Sequence, residues 1–415
     1  MRIKRDLYLK KLVERMNNGL VKIVTGIRRS GKSYLLNVLF VDYLLENGVD
    51  NNHIIRVSME GFENIKYRSP EYTYQFIKDR LTDDDTHYII IDEVQMMDNF
   101  IEVLNGLMIL KNTDVYVTGS NSRFLSSDIA TEFRGRGDII QMHPLRFAEM
   151  MTVYNDRDEA WDDYVNYGGM PLVFSYQSKA GKEQYLTELF NTAFVKDVIE
   201  RNGLKNEQNL AELLDVLASG IGSLTNPTKL ENTFKSEKKV VFSHQTINAY
   251  IGYLKDAFLI SKAQRYDVKG KRYINSPYKI YFEDIGLRNA RLNFRQIEEG
   301  HILENIIYNE LIVRGYRVDV GVVEFFKKDE NGKTMRIDYE VDFIVNRGSE
   351  RFYIQSAYEI PGVEKEIQEK NSLRSINDSF KKIIITKGYM KPRIDDEGII
   401  TIGVINFLLD DSILS

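Results

Sequence analysis

Cysteine is absent from this 415-residue chain, which excludes disulfides and thiolate metal sites and fits a cytoplasmic protein without requiring one. Proline is scarce, at seven residues. With no low-complexity tract and no repeat, domain boundaries have to be read from changes of pattern. No stretch reaches the roughly 18 apolar residues of a membrane span. The basic start MRIKRDLYLKKLVERM never develops the apolar core of a signal peptide, so it reads as an amphipathic lead-in helix and no membrane partner is expected. The five histidines are scattered without metal-ligand spacing, and His87 and His143, which flank strands, read as structural. A basic excess is lacking too: 56 Lys and Arg against 61 Asp and Glu leave a net charge of −5. No global field therefore draws the molecule onto nucleic acid, and any such binding must come from local patches. The composition, 43% hydrophobic and 28% charged, is that of a globular protein long enough for several domains.

The most informative stretch is VKIVTGIRRSGKS. Residues 21–24 read as a short buried strand that breaks at Gly26. Gly26-Ile27-Arg28-Arg29-Ser30-Gly31-Lys32-Ser33 then completes a phosphate-binding loop before the helical YLLNVLFVDYLLE. Glycines let backbone N–H groups approach a polyphosphate. Lys32 places a charge at the β and γ phosphates, Ser33 offers a hydroxyl to Mg²⁺, and the new helix points its positive end at the anion. ATP and Mg²⁺ are the expected cofactors.

Strands are expected over 53–59 and in HYIIIDEVQ, with helices over 70–81 and 99–110. An apolar run ending in two carboxylates is what a central parallel strand looks like when its C-terminal end faces a ligand. Asp92 is expected in the Mg²⁺ shell and Glu93 as the base that polarises water. The next strand, 114–118, ends in Gly119-Ser120-Asn121-Ser122. If it neighbours both motif strands, Ser120 or Asn121 orients the lytic water; a capped turn is the alternative. Arg134-Gly135-Arg136-Gly137 precedes a strand over 138–142, and an arginine between glycines either reaches a phosphate from outside the fold or lies in a solvated loop.

These motifs, together with His143-Pro144-Leu145-Arg146-Phe147, Tyr167-Gly168-Gly169-Met170-Pro171 and Phe194-Val195-Lys196-Asp197, resemble the AAA-type ATPases of bacteria and archaea that carry a C-terminal domain of unknown function. The resemblance implies that Arg136, with Arg134 as second choice, is the sensor or finger arginine completing a neighbouring subunit's site in a homo-oligomer. It also implies that the helical stretch after the core is a small lid.

Beyond residue 206, three helical segments and a hairpin about Asp267-Val268-Lys269-Gly270 resemble a winged helix. Its third helix offers His244, Gln245, Thr246 and Asn248, and its wing carries Lys262, Arg265, Lys269, Lys271 and Arg272, a local footprint for DNA. Winged helices serve equally as protein contacts. The last unit, a helix with Glu304 followed by strands with Asp342 and Gln355, resembles a restriction-endonuclease-like fold. Ala357 stands where that fold has its lysine, so the domain is expected to bind rather than cleave, with Lys382 a candidate for a migrated lysine and Glu340 and Asp342 strand-end charges.

The expected fold is therefore α/β: an AAA-type core over 1–150 with a parallel sheet, a helical lid over 151–205, a winged helix over 206–295 and an inactive nuclease-like domain over 296–415. The expected reaction is Mg²⁺-dependent ATP hydrolysis coupled to conformational change, acting on or with DNA. The competing readings are a nucleotide-switched protein-interaction scaffold and an ATP-gated nuclease.

Overall fold

The structure, a computed structural model, describes residues 2–120, 135–238, 242–295, 298–328, 334–359 and 363–414. The chain divides into two compact units after Leu145, with Asp256–Phe258 grouped with the first.

The first unit is built on five parallel strands: β1 (Val21–Thr25), β2 (Ile54–Ser58), β3 (His87–Asp92), β4 (Thr113–Gly119) and β5 (Gly137–Gln141), in the order β2-β3-β4-β1-β5. Side chains alternate across each strand, and the apolar runs fill both faces. Ile23, Ile55, Val57, Ile89, Ile91, Val115 and Val117 pack on one face with Ile77, Leu104 and Leu107 of the helices Pro70–Lys78 and Phe100–Ile109. Val24, Ile54, Tyr88, Ile90, Tyr116 and Ile140 pack on the other with Tyr8 and Leu12 of the lead-in helix Asp6–Val13 and with Leu36, Leu39 and Phe40 of the helix after the loop. The consequence for the site is the strand order. β4 lies between β3 and β1, so its C-terminal tip comes up between the acid-bearing strand and the loop-bearing strand.

The second unit begins with helices. Its Gly168-Gly169 step is explained by packing: a Cβ on Gly168 would stand 2.4 Å from the Asp284 carboxylate, while the Gly169 amide donates to that same carboxylate at 2.7 Å. Asp284 also caps the helix Ile285–Arg291 through the Leu287 amide. Arg146, from the His-Pro-Leu-Arg-Phe motif, is buried and ion-paired with Glu310 and Asp411.

An eight-stranded mixed sheet follows: β6 (Ile260–Asp267), β7 (Arg272–Phe282), β8 (Arg317–Lys328), β9 (Thr334–Arg347), β10 (Glu350–Ala357), β11 (Lys381–Thr386), β12 (Arg393–Ile394) and β13 (Ile399–Gly403), in the order β12-β13-β11-β10-β9-β8-β6-β7. The hairpin expected as a wing is the edge of this sheet. β6 pairs in parallel with β8 at Arg265–Asp267, so the sheet crosses the expected boundary at 295. β7 also runs on to Phe282, past Asn275-Ser276-Pro277. At a sheet edge proline deprives no neighbouring strand of a hydrogen bond.

Candidate functional site

The phosphate-binding loop leaves β1 at Gly26, whose φ is +136° and whose added Cβ would meet the Met142 carbonyl oxygen at 2.0 Å. Only glycine fits there. Gly31, at φ +99°, precedes the helix that starts at Lys32 and continues to Glu46. The Lys32 side chain is buried and its Nζ donates to the Gly26 and Ile27 carbonyls, each at 3.0 Å. The ammonium is thereby held in the concavity of its own loop. Ser30 Oγ, among the described residues, is buried without a hydrogen-bond partner, which is costly unless a ligand supplies an acceptor. Ile27 is buried, Arg28 half-buried and within 3.9 Å of Glu60, and Arg29 exposed at φ +62°.

The acids are assembled by the strand order. Ser33 Oγ donates to Asp92 Oδ1 at 2.8 Å, and Thr118 Oγ1 donates to the same oxygen at 2.5 Å. Thr118 Oγ1 also accepts the Glu93 amide at 2.8 Å. Glu93 turns into the left-handed region at φ +53°, swinging its carboxylate off the end of β3. There Glu93 Oε2 accepts from Ser120 Oγ at 3.0 Å and from Gln95 Nε2. The expected residues Gly26, Lys32, Ser33, Asp92, Glu93 and Ser120 are thus brought together. Hydroxyl and carboxylate oxygens are the hard donors Mg²⁺ takes, and the orphaned Ser30 hydroxyl fits a phosphate oxygen.

Arg136 is not part of this assembly. Its carbonyl accepts from Val21 at the start of β1, so it stands at the opposite edge of the sheet from the loop, about 16 Å away over five residues at roughly 3.3 Å each. Arg136 serves no phosphate in its own loop. Asn121 and Arg134 lie outside the described residues. A contributor with no sequence signal is Arg5, which is buried and donates to the Ser30 carbonyl at 3.1 Å and to the His143 carbonyl at 2.6 Å, bracing the loop from the N-terminal arm.

In the second unit, Glu304 and Asp342 do meet, and a lysine is with them. Lys279 Nζ of β7 lies 2.8 Å from Glu304, 2.7 Å from Glu340 and 3.4 Å from Asp342. Tyr281 donates to Glu304 at 2.6 Å and the Ser356 amide to Asp342 at 2.8 Å. Burial would lower the Lys279 pKa, but the three carboxylates outweigh it and raise it. Burial and the nearby Glu304 raise Asp342. For Glu304 the upward effect of burial is overcome by Lys279 and its hydrogen-bond donors, which hold it low. β10 carries no lysine, and the lysine beside these acids comes from β7. Lys382, the candidate by sequence, donates to the Ile376 carbonyl instead. Ala357 is packed in the core.

Residues 18–151 match the family described as an AAA domain, and residues 158–298 match a domain of unknown function. An uncharacterized protein of Haemophilus influenzae is 34% identical over 415 residues, covering 98% of each chain. An uncharacterized protein of Methanocaldococcus jannaschii is 27% identical, covering 95% of this chain and 88% of that one. Among solved structures, the Aeropyrum pernix ORC1 protein in complex with DNA aligns over 70% of this chain and 92% of its own, at 10% identity and a TM-score of 0.32, too distant to bear on mechanism. No helix among the described residues is long and apolar enough to cross a membrane.

Proposed function

The chain belongs to one family with the Haemophilus influenzae protein and carries an AAA-type P-loop domain, and from that membership we propose that it is a Mg²⁺-dependent ATPase coupling nucleotide turnover to conformational change. The observation that carries this reading is the continuous hydrogen-bonded path Ser33–Asp92–Thr118–Glu93–Ser120, which joins the loop to both acids. When bound, Mg²⁺ and ATP supply a polarised γ-phosphorus as electrophile. The loop amides and Lys32 bind and orient the phosphates, and Ser33 and Asp92 hold the ion. Glu93 takes the proton of the attacking water at Oε1, the oxygen left over by Ser120 and Gln95. Lys32→Ala abolishes ATP binding, while Glu93→Gln keeps binding and stalls turnover. If Glu93→Gln hydrolyses ATP within about threefold of wild type, less than ~1 kcal/mol of barrier, the assignment fails.

The same reading takes 151–205 as a lid, a homo-oligomer as the working form, and DNA as the substrate of the motion. What supports DNA is the exposed His244, Gln245 and Asn248 on the helix His244–Asp256 and the basic hairpin turn. Replacing Lys269, Lys271 and Arg272 should weaken DNA binding and flatten its salt dependence by roughly 0.9 per lost phosphate contact. Unchanged affinity would remove DNA from this surface.

A second reading, an ATP-gated nuclease, is favoured by one observation: Lys279 beside Glu304 and Asp342. Incubation with linear, circular and branched DNA in Mg²⁺ or Mn²⁺ tests it. Cleavage that disappears in Asp342→Ala would promote this reading over a binding role.

A further inference from the structure

Two histidines far apart in the chain meet at the edge of the first sheet. His53 closes a helical turn just before β2 and His87 opens β3, and the parallel register pairs Ile54 with Tyr88, so both rings sit at the N-terminal edge, away from the loop. Their centroids are 4.7 Å apart. Asp83 reaches them from the connection entering β3, and one donor atom from each of the three residues lies within 4.8 Å of the others.

The surroundings prepare these groups as ligands. His87 Nδ1 meets the Asp85 carbonyl at 2.8 Å and its Nε2 meets the Thr82 amide N–H at 3.3 Å. Those two backbone groups select the tautomer with the proton on Nδ1 and the lone pair on Nε2. A ring N–H on a backbone carbonyl is how ligating imidazoles are commonly oriented. The 3.3 Å amide contact is long and weakly held. Asp83 Oδ1 accepts the Asp85 amide at 3.0 Å, which turns Oδ2 toward His53 Nε2 at 2.9 Å. Asp50 and Asp85 add negative charge around His53.

We propose that His53, Asp83 and His87 form a binding site for one divalent transition-metal ion of the zinc class, clipping the starts of β2 and β3 to the connection at Asp83. Two imidazole nitrogens and one carboxylate oxygen suit Zn²⁺, Co²⁺ or Ni²⁺ better than Mg²⁺. Three protein ligands leave one tetrahedral position for water or a further ligand. Binding at His53 Nε2 moves the proton off that nitrogen, to Nδ1 or to solvent, and displaces the Thr82 contact.

The test uses the full chain without nucleotide or Mg²⁺, titrated with Zn²⁺ by calorimetry and with Co²⁺ by visible absorption. One equivalent should bind with a tetrahedral Co²⁺ spectrum, and Asp83→Asn and His53→Gln should each weaken binding about tenfold or more. Both positions reach solvent, so the variants are expected to fold, with circular dichroism as the check. Lys32→Ala should bind the ion as wild type does. No stoichiometric binding, undiminished affinity in both variants, or loss in Lys32→Ala would overturn the proposal.

Discussion

Thr118 and Asp92 stand side by side on neighbouring strands, and the Thr118 hydroxyl gives its proton to Asp92 Oδ1 while taking one from the Glu93 amide. One side chain on β4 thus holds the Asp92 carboxylate at the end of β3 and the backbone of Glu93 just beyond it. Thr118→Val keeps the shape and removes the hydroxyl. Turnover should fall about 10–100-fold, as when groups behind metal ligands are lost, with ATP affinity little changed. Steady-state kinetics beside nucleotide titration separates the two effects, and an unchanged kcat would show that Asp92 and Glu93 hold their geometry unaided.

Arg136 stands too far from its own loop to serve it, so under the proposed function it would act as a finger only on a second copy. Activity per subunit should rise with protein concentration, and Arg136→Ala alone should lose roughly 10³-fold or more in turnover. Mixing Arg136→Ala with Lys32→Ala should restore part of it, because one mixed interface pairs an intact loop with an intact arginine. A dilute monomer that turns over at the full rate, or mixing without recovery, counts against it.

Lys279 is the buried counter-ion of three carboxylates. Lys279→Met should destabilise the second unit by about 3–5 kcal/mol at neutral pH, since the acids are left facing one another. Part of the loss should return as acid protonates them. Urea denaturation at two pH values reads both effects, and a loss under about 1 kcal/mol would mean that water already shares the site.

Asp284 is buried, and desolvation raises its pKa to about 6 against the pull of its backbone donors at Gly169 and Leu287. Between the unfolded value near 3.9 and about 6 the folded state holds the extra proton. The contribution of this group to stability therefore falls as pH rises through that window and stays low above it, by about 3 kcal/mol. Asp284→Asn does not titrate, so its stability should decline less than wild type between pH 4.5 and 7. Parallel urea curves for the two proteins across that range would refute the assignment.

The loop was legible because strand, glycines, lysine and serine follow one another within a few residues, and the two acids because that loop precedes them, since an apolar run ending in Asp92-Glu93 alone reads equally as a solvated acidic turn. What joins them was conditional: Ser120 and Thr118 matter only because β4 inserts between β1 and β3, and strand order is a long-range fact. Arg5 had no motif around it. Lys279 was hidden by Asn275-Ser276-Pro277, which punctuates like a turn yet lies within an edge strand. The apolar run 399–409 is β13 followed by the helix Val404–Leu409, two elements that hydrophobicity alone does not divide. His53 and His87 carried no spacing signal because a sheet register, not a helix turn, brings them together.

The edge position of β7 also bears on how this protein can be taken apart or inherited. Its lysine comes from the stretch that matches one domain family, 158–298, while the acids it neutralises come from the helix Glu299–Val313 and from β9. A chain severed at residue 295 would leave three carboxylates on one fragment and their ammonium on the other. Recombination at that point would swap half of an ion cluster, so the two stretches are tied to descend together, and a change in Lys279 should be matched across the boundary by changes in Glu304, Glu340 or Asp342.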